Sequence, residues 1–189
     1  MKTFITSLRL SLAFMLLCGL AYPFAVTGVA QAVLPDQANG SIISNQGKEV
    51  GSKLIGQDFH DPKYFQGRVS SIKSDAAGSG TPNYAPSNED MKKRVEESIS
   101  TWKQTNPDVP LNQVPVDLIT NSGSGLDPHI SPEAAFAQIP RIAKAIGLSS
   151  DRLHQLVEKN TQGPELGLFG EKRVNVLELN LDLNRELQR

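Results

Sequence analysis

Apolar residues are unevenly spread along this chain. From Leu10 to Pro35, LSLAFMLLCGLAYPFAVTGVAQAVLP, 26 residues pass without a charge. As a helix at about 1.5 Å per residue this run reaches ~39 Å, enough to cross a hydrocarbon core of about 30 Å. Pro23 lies inside it, and membrane spans tolerate such a kink. Lys2 and Arg9 precede the run and Asp36 is the first charge after it. The positive-inside rule then puts residues 1–9 in the cytoplasm, a transmembrane helix at 10–34 and residues 35–189 outside. The rival reading is a cleaved secretory signal, with AQA at 30–32 as a small-x-small cleavage site. The run is longer than the usual apolar region of about 7–15 residues, which favours the anchor. Either reading exports the same domain. Cys18 follows the bulky Leu17, which speaks for a membrane thiol over a lipidated one. Gly19, Ala21 and Ala25 are the small residues that could pack against other helices.

Beyond the run the period changes several times. Residues 35–50 are polar and turn-rich, LIGQDF at 54–59 predicts a short strand, and SDAAGSGTPNYAPSN at 74–88 predicts a long mobile loop. Met91, Val95, Ile99 and Trp102 fall on one helical face, with Ser87 as candidate N-cap and Pro107 and Pro110 as stops. VPVDLIT at 114–120 predicts a buried strand. Ser131, Pro132 and Glu133 have the chemistry of a helix start. Ala135, Ile139, Ile142, Ala143 and Ile146 make that helix's apolar face, Pro140 bends it and Gly147 stops it. Ser149 or Ser150 caps a further helix carrying Leu153, Leu156 and Val157. In VNVLELNLDLNREL, alternation hints at a strand. The Asn175-x-x-Glu178 cap and the Val176, Leu179, Leu183, Leu187 stripe favour a helix. The fold class expected is an α/β (α+β) extramembrane domain on a single N-terminal transmembrane helix.

Charge narrows the function. With 19 Lys+Arg against 20 Asp+Glu, the net charge is −1, so nucleic acid is not an expected partner. One cysteine allows no internal disulfide, and the three histidines at 60, 129 and 154 lack the spacing of a metal site. No metal, no cofactor and no catalytic residue is therefore assigned. The loop SGSGLDPHISP at 122–132 brings Ser122, Ser124, Asp127 and His129 close in sequence. It lacks the G-x-S-x-G frame of a serine hydrolase, and no phosphate-binding G-x-x-x-x-G-K-[ST] string is present. A weak anion site at the helix start after Ser131 is one reading. The other is a shaped loop, with glycines at positive φ and with Ser131 and Asp127 satisfying backbone groups. Asp58 with Asp61, and Glu96 with Glu97, have no frame that makes them an acid/base pair. An exported, membrane-anchored hydrolase using the 122–131 loop is the alternative function.

Three blocks carry a family resemblance: GSKLIGQDFHDPKYFQGR at 51–68, VPVDLITNSGSGLDPHISPEAAFAQIPRIAKAIGL at 114–148 and VNVLELNLDL at 174–183. Together with PDQANGSII after the apolar run, they resemble the C-subunit family, KdpC, of the bacterial Kdp potassium-transporting ATPase. The resemblance implies a non-catalytic, single-span subunit of the cell membrane. Its partners would be a channel-like potassium-binding subunit, a P-type ATPase subunit, a very small membrane subunit and membrane lipid. It also implies a catalytic-chaperone role that raises the ATP affinity of the ATPase subunit, so ATP is possible through the complex. Two departures stand out. Val69 replaces a usual proline. The stretch LSSDR keeps Leu148 and Ser149 but has Arg152 in place of the glutamine of an L-S-x-x-Q pattern likened to a nucleotide contact.

Overall fold

A computed structural model describes Met1–Gln188, and the chain divides into two units, Met1–Val50 and the residues from Gly51 onward. In the first unit, α1 (Lys2–Leu16), a π-helical turn over Leu17–Ala21 and α2 (Tyr22–Val33) form one helical stretch of 32 residues. No residue in it is buried, and it is long and apolar enough to cross a membrane. The helix starts at Lys2, well before the uncharged run, because TFITSLR contains no helix breaker. The π turn has a local cause. Pro23 has no N–H to give the carbonyl of Gly19 and its ring crowds that carbonyl, so the turn before it widens. A short α3 (Pro35–Ala38) follows, then a hairpin of β1 (Ile42–Asn45) and β2 (Lys48–Ser52). Gln46 and Gly47, at φ 52° and 78°, supply the two left-handed residues of a tight hairpin turn.

The second unit is built mainly of helices around a small sheet. Asn88 caps α4 (Glu89–Thr105), its side chain accepting from the amides of Asp90 and Met91. The cap is thus Asn88 and not Ser87, one residue later than the sequence suggests. After α4 come two single-turn 3₁₀ helices, Leu111–Gln113 and Val116–Leu118. The strand expected at 114–120 does not form: Pro110 and Pro115 lack ladder donors, and their fixed φ starts each 3₁₀ turn instead. The strand expected at 54–59 is also absent. The chain leaves β2 at Ser52, turns, and runs through Phe59 without strand geometry.

The three-stranded antiparallel sheet has the order β3 (His129–Ile130), β5 (Arg173–Asn175), β4 (Thr161–Gln162), with Ile130 opposite Val174 and Thr161 opposite Val174. Around it lie α5 (Pro132–Phe136), α6 (Ile139–Ile146), α7 (Ser150–Lys159) and α8 (Val176–Leu187). Pro140 breaks the expected single helix into α5 and α6, since it cannot donate to the carbonyl of Phe136. Gly147 ends α6 at φ 75°. Asn175 caps α8 by accepting from Glu178 N–H, so the helical reading of 176–187 holds, and Val174 and Asn175 before it close β5. The core gathers Phe65, Ile130, Ala134, Ile139, Ile142, Leu153, Val157, Val174, Leu179 and Leu183, all buried. Each large apolar side chain so buried contributes roughly 1.5–3 kcal/mol. From α4 only Trp102 is buried, while Met91, Val95 and Ile99 stay half-buried.

Candidate functional site

The glycine-rich loop at 122–131 is held from three sides. Ser122 is buried, and its Oγ accepts from the amides of Gly125 at 3.1 Å and Asp127 at 3.2 Å. Ser124 Oγ accepts from Leu126 N–H at 3.0 Å and lies 3.2 Å from Ser122 Oγ. Both hydroxyls thus satisfy the loop's own backbone, and neither is hydrogen-bonded to His129. Asp127 and His129 do meet. Asp127 Oδ1 accepts from His129 N–H at 3.0 Å and sits 3.5 Å from His129 Nδ1, while Oδ2 takes Arg68 Nη1 at 3.1 Å. Burial alone would raise the Asp127 carboxyl, but the His129 hydrogen bonds and the Arg68 guanidinium outweigh it and hold it below the ordinary carboxylate value.

Two other segments grip the same loop. Gly56 N–H donates to Leu126 O at 2.7 Å, and a Cβ on Gly56 would lie 2.6 Å from Asp127 O. Gly80 N–H donates to Ser124 O at 2.7 Å, and Ser70 Oγ donates to Gly125 O at 2.7 Å. Gly125, at φ 72°, leaves no room for a side chain: a Cβ there would meet Ile72 Cγ1 at 2.6 Å and Gly80 O at 2.9 Å. The long 74–88 segment is irregular, as expected, but its middle is pinned to the glycine loop.

The helix start after Ser131 already has an anion. Asp117 accepts from Ser131 N–H at 2.7 Å and from Ser131 Oγ at 3.2 Å, and Ser131 Oγ in turn caps Ala134 N–H. The chain's own carboxylate therefore already faces the positive end of this helix. Beside it, Arg68, Asp117, Asp127, His129, Lys172 and Arg173 line an open groove of about 570 Å³ with mixed charges.

The remaining sequence candidates are dispersed. Asp58 accepts from Ser74 Oγ, and Asp61 caps Lys63 N–H and pairs with its ammonium. Glu96 and Glu97 lie exposed on α4. His60 is exposed, and His154 stacks on Phe136 with ring centres 4.9 Å apart. In LSSDR, Ser149 caps α7, and Arg152 reaches across to Glu186 of α8 at 2.8 Å. Arg152 thus ties two helices.

Sequence reasoning missed the most buried polar cluster. Asn180 is 1% exposed and pairs with both backbone groups of Phe65, accepting its N–H at 2.9 Å and donating to its C=O at 2.8 Å. Gln138 is 0% exposed and does the same for Gln66, at 2.7 and 3.0 Å. Arg141 donates to Gln138, Asn106 and the carbonyls of Pro62 and Tyr64. Burial lowers its guanidinium to about 10, which keeps it charged at neutral pH. Side-chain amides thus replace a neighbouring strand for residues 65–66. The sequence signal was a lone amide on an apolar helix face: Asn180 between Val176 and Leu183, Gln138 between Ala134 and Ile142.

These clamped segments, KYFQGR and SGSGLDPHISP, lie within a likeness that runs nearly the whole chain. Residues 4–185 match the family of the K+-transporting ATPase c chain, KdpC. The chain is 58% identical over 182 residues to the potassium-transporting ATPase KdpC subunit of Bacillus cereus (strain Q1), covering 96% of this chain and 94% of that one. It is 59% identical over 179 residues to the subunit of the same name from Bacillus anthracis, covering 94% and 93%. On a match of that extent, the chain belongs to the KdpC family of potassium-transporting ATPase subunits.

Proposed function

We propose that the chain is an accessory, non-catalytic subunit that assembles and stabilises an ATP-driven, high-affinity potassium uptake complex. The match across residues 4–185 carries this reading. The 32-residue apolar helix with no buried side chain supports a membrane anchor, and its Lys2 and Arg9 flank supports a cytoplasmic N-terminus with residues 35–189 outside. Partners on this reading are a channel-like potassium-binding subunit, a P-type ATPase subunit and a small membrane subunit. The commitment of Ser122 and Ser124 to backbone amides favours a structural loop over a hydrolase site.

The family's chaperone role, raising the ATP affinity of the ATPase subunit, is part of the proposal. With the domain outside and ATP inside, that effect is transmitted through the complex and not by contact of LSSDR with nucleotide.

The test is purification of the tagged full-length chain from membranes in mild detergent. Potassium-stimulated ATPase activity should follow the tag, and ATP affinity should weaken when the chain is omitted. A reporter active only outside the cytoplasm, fused after Arg189, should be active. A lone chain with hydrolytic turnover and no co-purifying ATPase would overturn the reading.

A further inference from the structure

Between β4 and β5 the chain makes a tight projecting turn, PELGLFGEK. Glu165 and Phe169 form an antiparallel bridge, with Glu165 N–H to Phe169 O at 2.8 Å and Phe169 N–H to Glu165 O at 3.0 Å. Leu168 N–H also reaches Glu165 O, and Gly167 N–H reaches Pro164 O. Leu166, Gly167 and Gly170 all have positive φ, and for Leu166 at 53° that conformation is unfavourable. The shape is therefore fixed by hydrogen bonds, and it displays apolar groups. Leu166 is 89% exposed, Leu168 81% and Phe169 65%. Outside the apolar N-terminal stretch, no other run of the described residues presents three large apolar side chains so openly.

The turn's charges decide what it meets. Leu166–Gly170 carries none, and the flanking charges cancel: Glu165 pairs with Arg173 at 3.0 Å, and Glu171 precedes Lys172. An anionic lipid surface is recognised by an excess of Lys and Arg, which is missing here. The apolar tip offers about 500 Å² in all, a size that marks an interaction site. A stable free-standing interface takes roughly 600–1,000 Å² from each partner, so the tip falls short of holding a second copy or a freely diffusing protein. A contact of that size becomes useful when a second tether brings effective concentration to about the millimolar range. The Lys2–Val33 helix is such a tether for anything in the same membrane.

We propose that the Leu166–Phe169 turn is a docking knuckle that inserts into an uncharged apolar recess on the extracytoplasmic face of a membrane-embedded partner subunit of the same ATPase. This rests on the subunit reading and topology above. The test uses the full-length chain in its native membranes. Photoreactive benzoylphenylalanine at position 168 should give an adduct identified by mass spectrometry as another subunit of the complex, whereas the same probe at exposed Lys144 should not. A Leu166→Ser, Leu168→Ser, Phe169→Ser chain should keep its thermal unfolding and membrane integration but recover about tenfold less of the other subunits after dilution. If the unsubstituted chain recovers no ATPase, the subunit reading falls and this one with it. If it recovers the ATPase, and the probe at 168 reaches only lipid or a second copy, or the triple variant recovers partners undiminished, the docking knuckle alone is overturned.

Discussion

Two irregular segments of the second unit, 62–68 and 121–131, lie against the same core and are held by opposite means. The first is held from outside: its backbone groups are met by the side chains of Gln138 just before α6, Arg141 in α6 and Asn180 in α8. The second is held from within and by close approach. Its short hydroxyls cap its own amides, and glycines let neighbouring backbone touch it. Both solve the problem of a buried backbone without a strand partner. They differ in where they are vulnerable. The first fails through residues distant in sequence, the second through its own glycines.

Breaking the outer clamp should have the largest effect. Asn180→Leu keeps the branched shape, at a larger volume, but strands the N–H and C=O of Phe65, each costing about 1–3 kcal/mol when buried unpaired. A loss of about 3 kcal/mol or more is expected in denaturant unfolding. A loss below about 1 kcal/mol would mean that the amide is not the segment's support. Gly125→Val comes next. It places a branched side chain at φ 72° against Ile72 and Gly80, with about 2–3 kcal/mol of strain and overpacking expected. Gly123→Ala, with nothing within 4 Å of its Cβ, is the control and should be near neutral. Equal effects of the two would refute the close-approach argument.

Asp127→Asn should be milder, about 1 kcal/mol at neutral pH because Arg68 and Asp127 are both partly solvated. Its signature is the pH dependence. Asp127 is held below its ordinary 3.8, so its stabilisation is present above that value and is lost as pH falls through the lower, folded one. The unsubstituted domain should therefore lose stability below about pH 4, and Asp127→Asn should flatten part of that loss. An unchanged acid limb would remove Asp127 from the account. Apart from the Gly123 control, the smallest effect belongs to Ser124→Ala, about 0.5 kcal/mol for an exposed hydroxyl. It should support potassium-limited growth with normal complex yield. A dead but fully assembled variant would mean that the loop does chemistry.

The same contrast explains what was legible in the sequence. Ser131, Ser149 and Asn175 were readable as caps because a cap bonds an amide three residues away. Gly125 was readable as a constrained glycine, but Ile72 and Gly80, which constrain it, were not. The strand expected at 114–120 failed because apolar residues outweighed Pro115 in the reading, whereas the proline decides the local geometry. The amides of Gln138 and Asn180 bridge separations of 72 and 115 residues, which no local pattern encodes.

That last separation bears on how the domain is made. Synthesis runs from the N-terminal end, so Phe65 emerges long before Asn180 does. Until α8 arrives, the Phe65 amide and carbonyl have no protein partner and the segment around them stays wet and open. The clasp can close only once α8 is present, because both of its hydrogen bonds come from Asn180. A chain cut short before Asn180 should therefore stay open to proteolysis around Phe65.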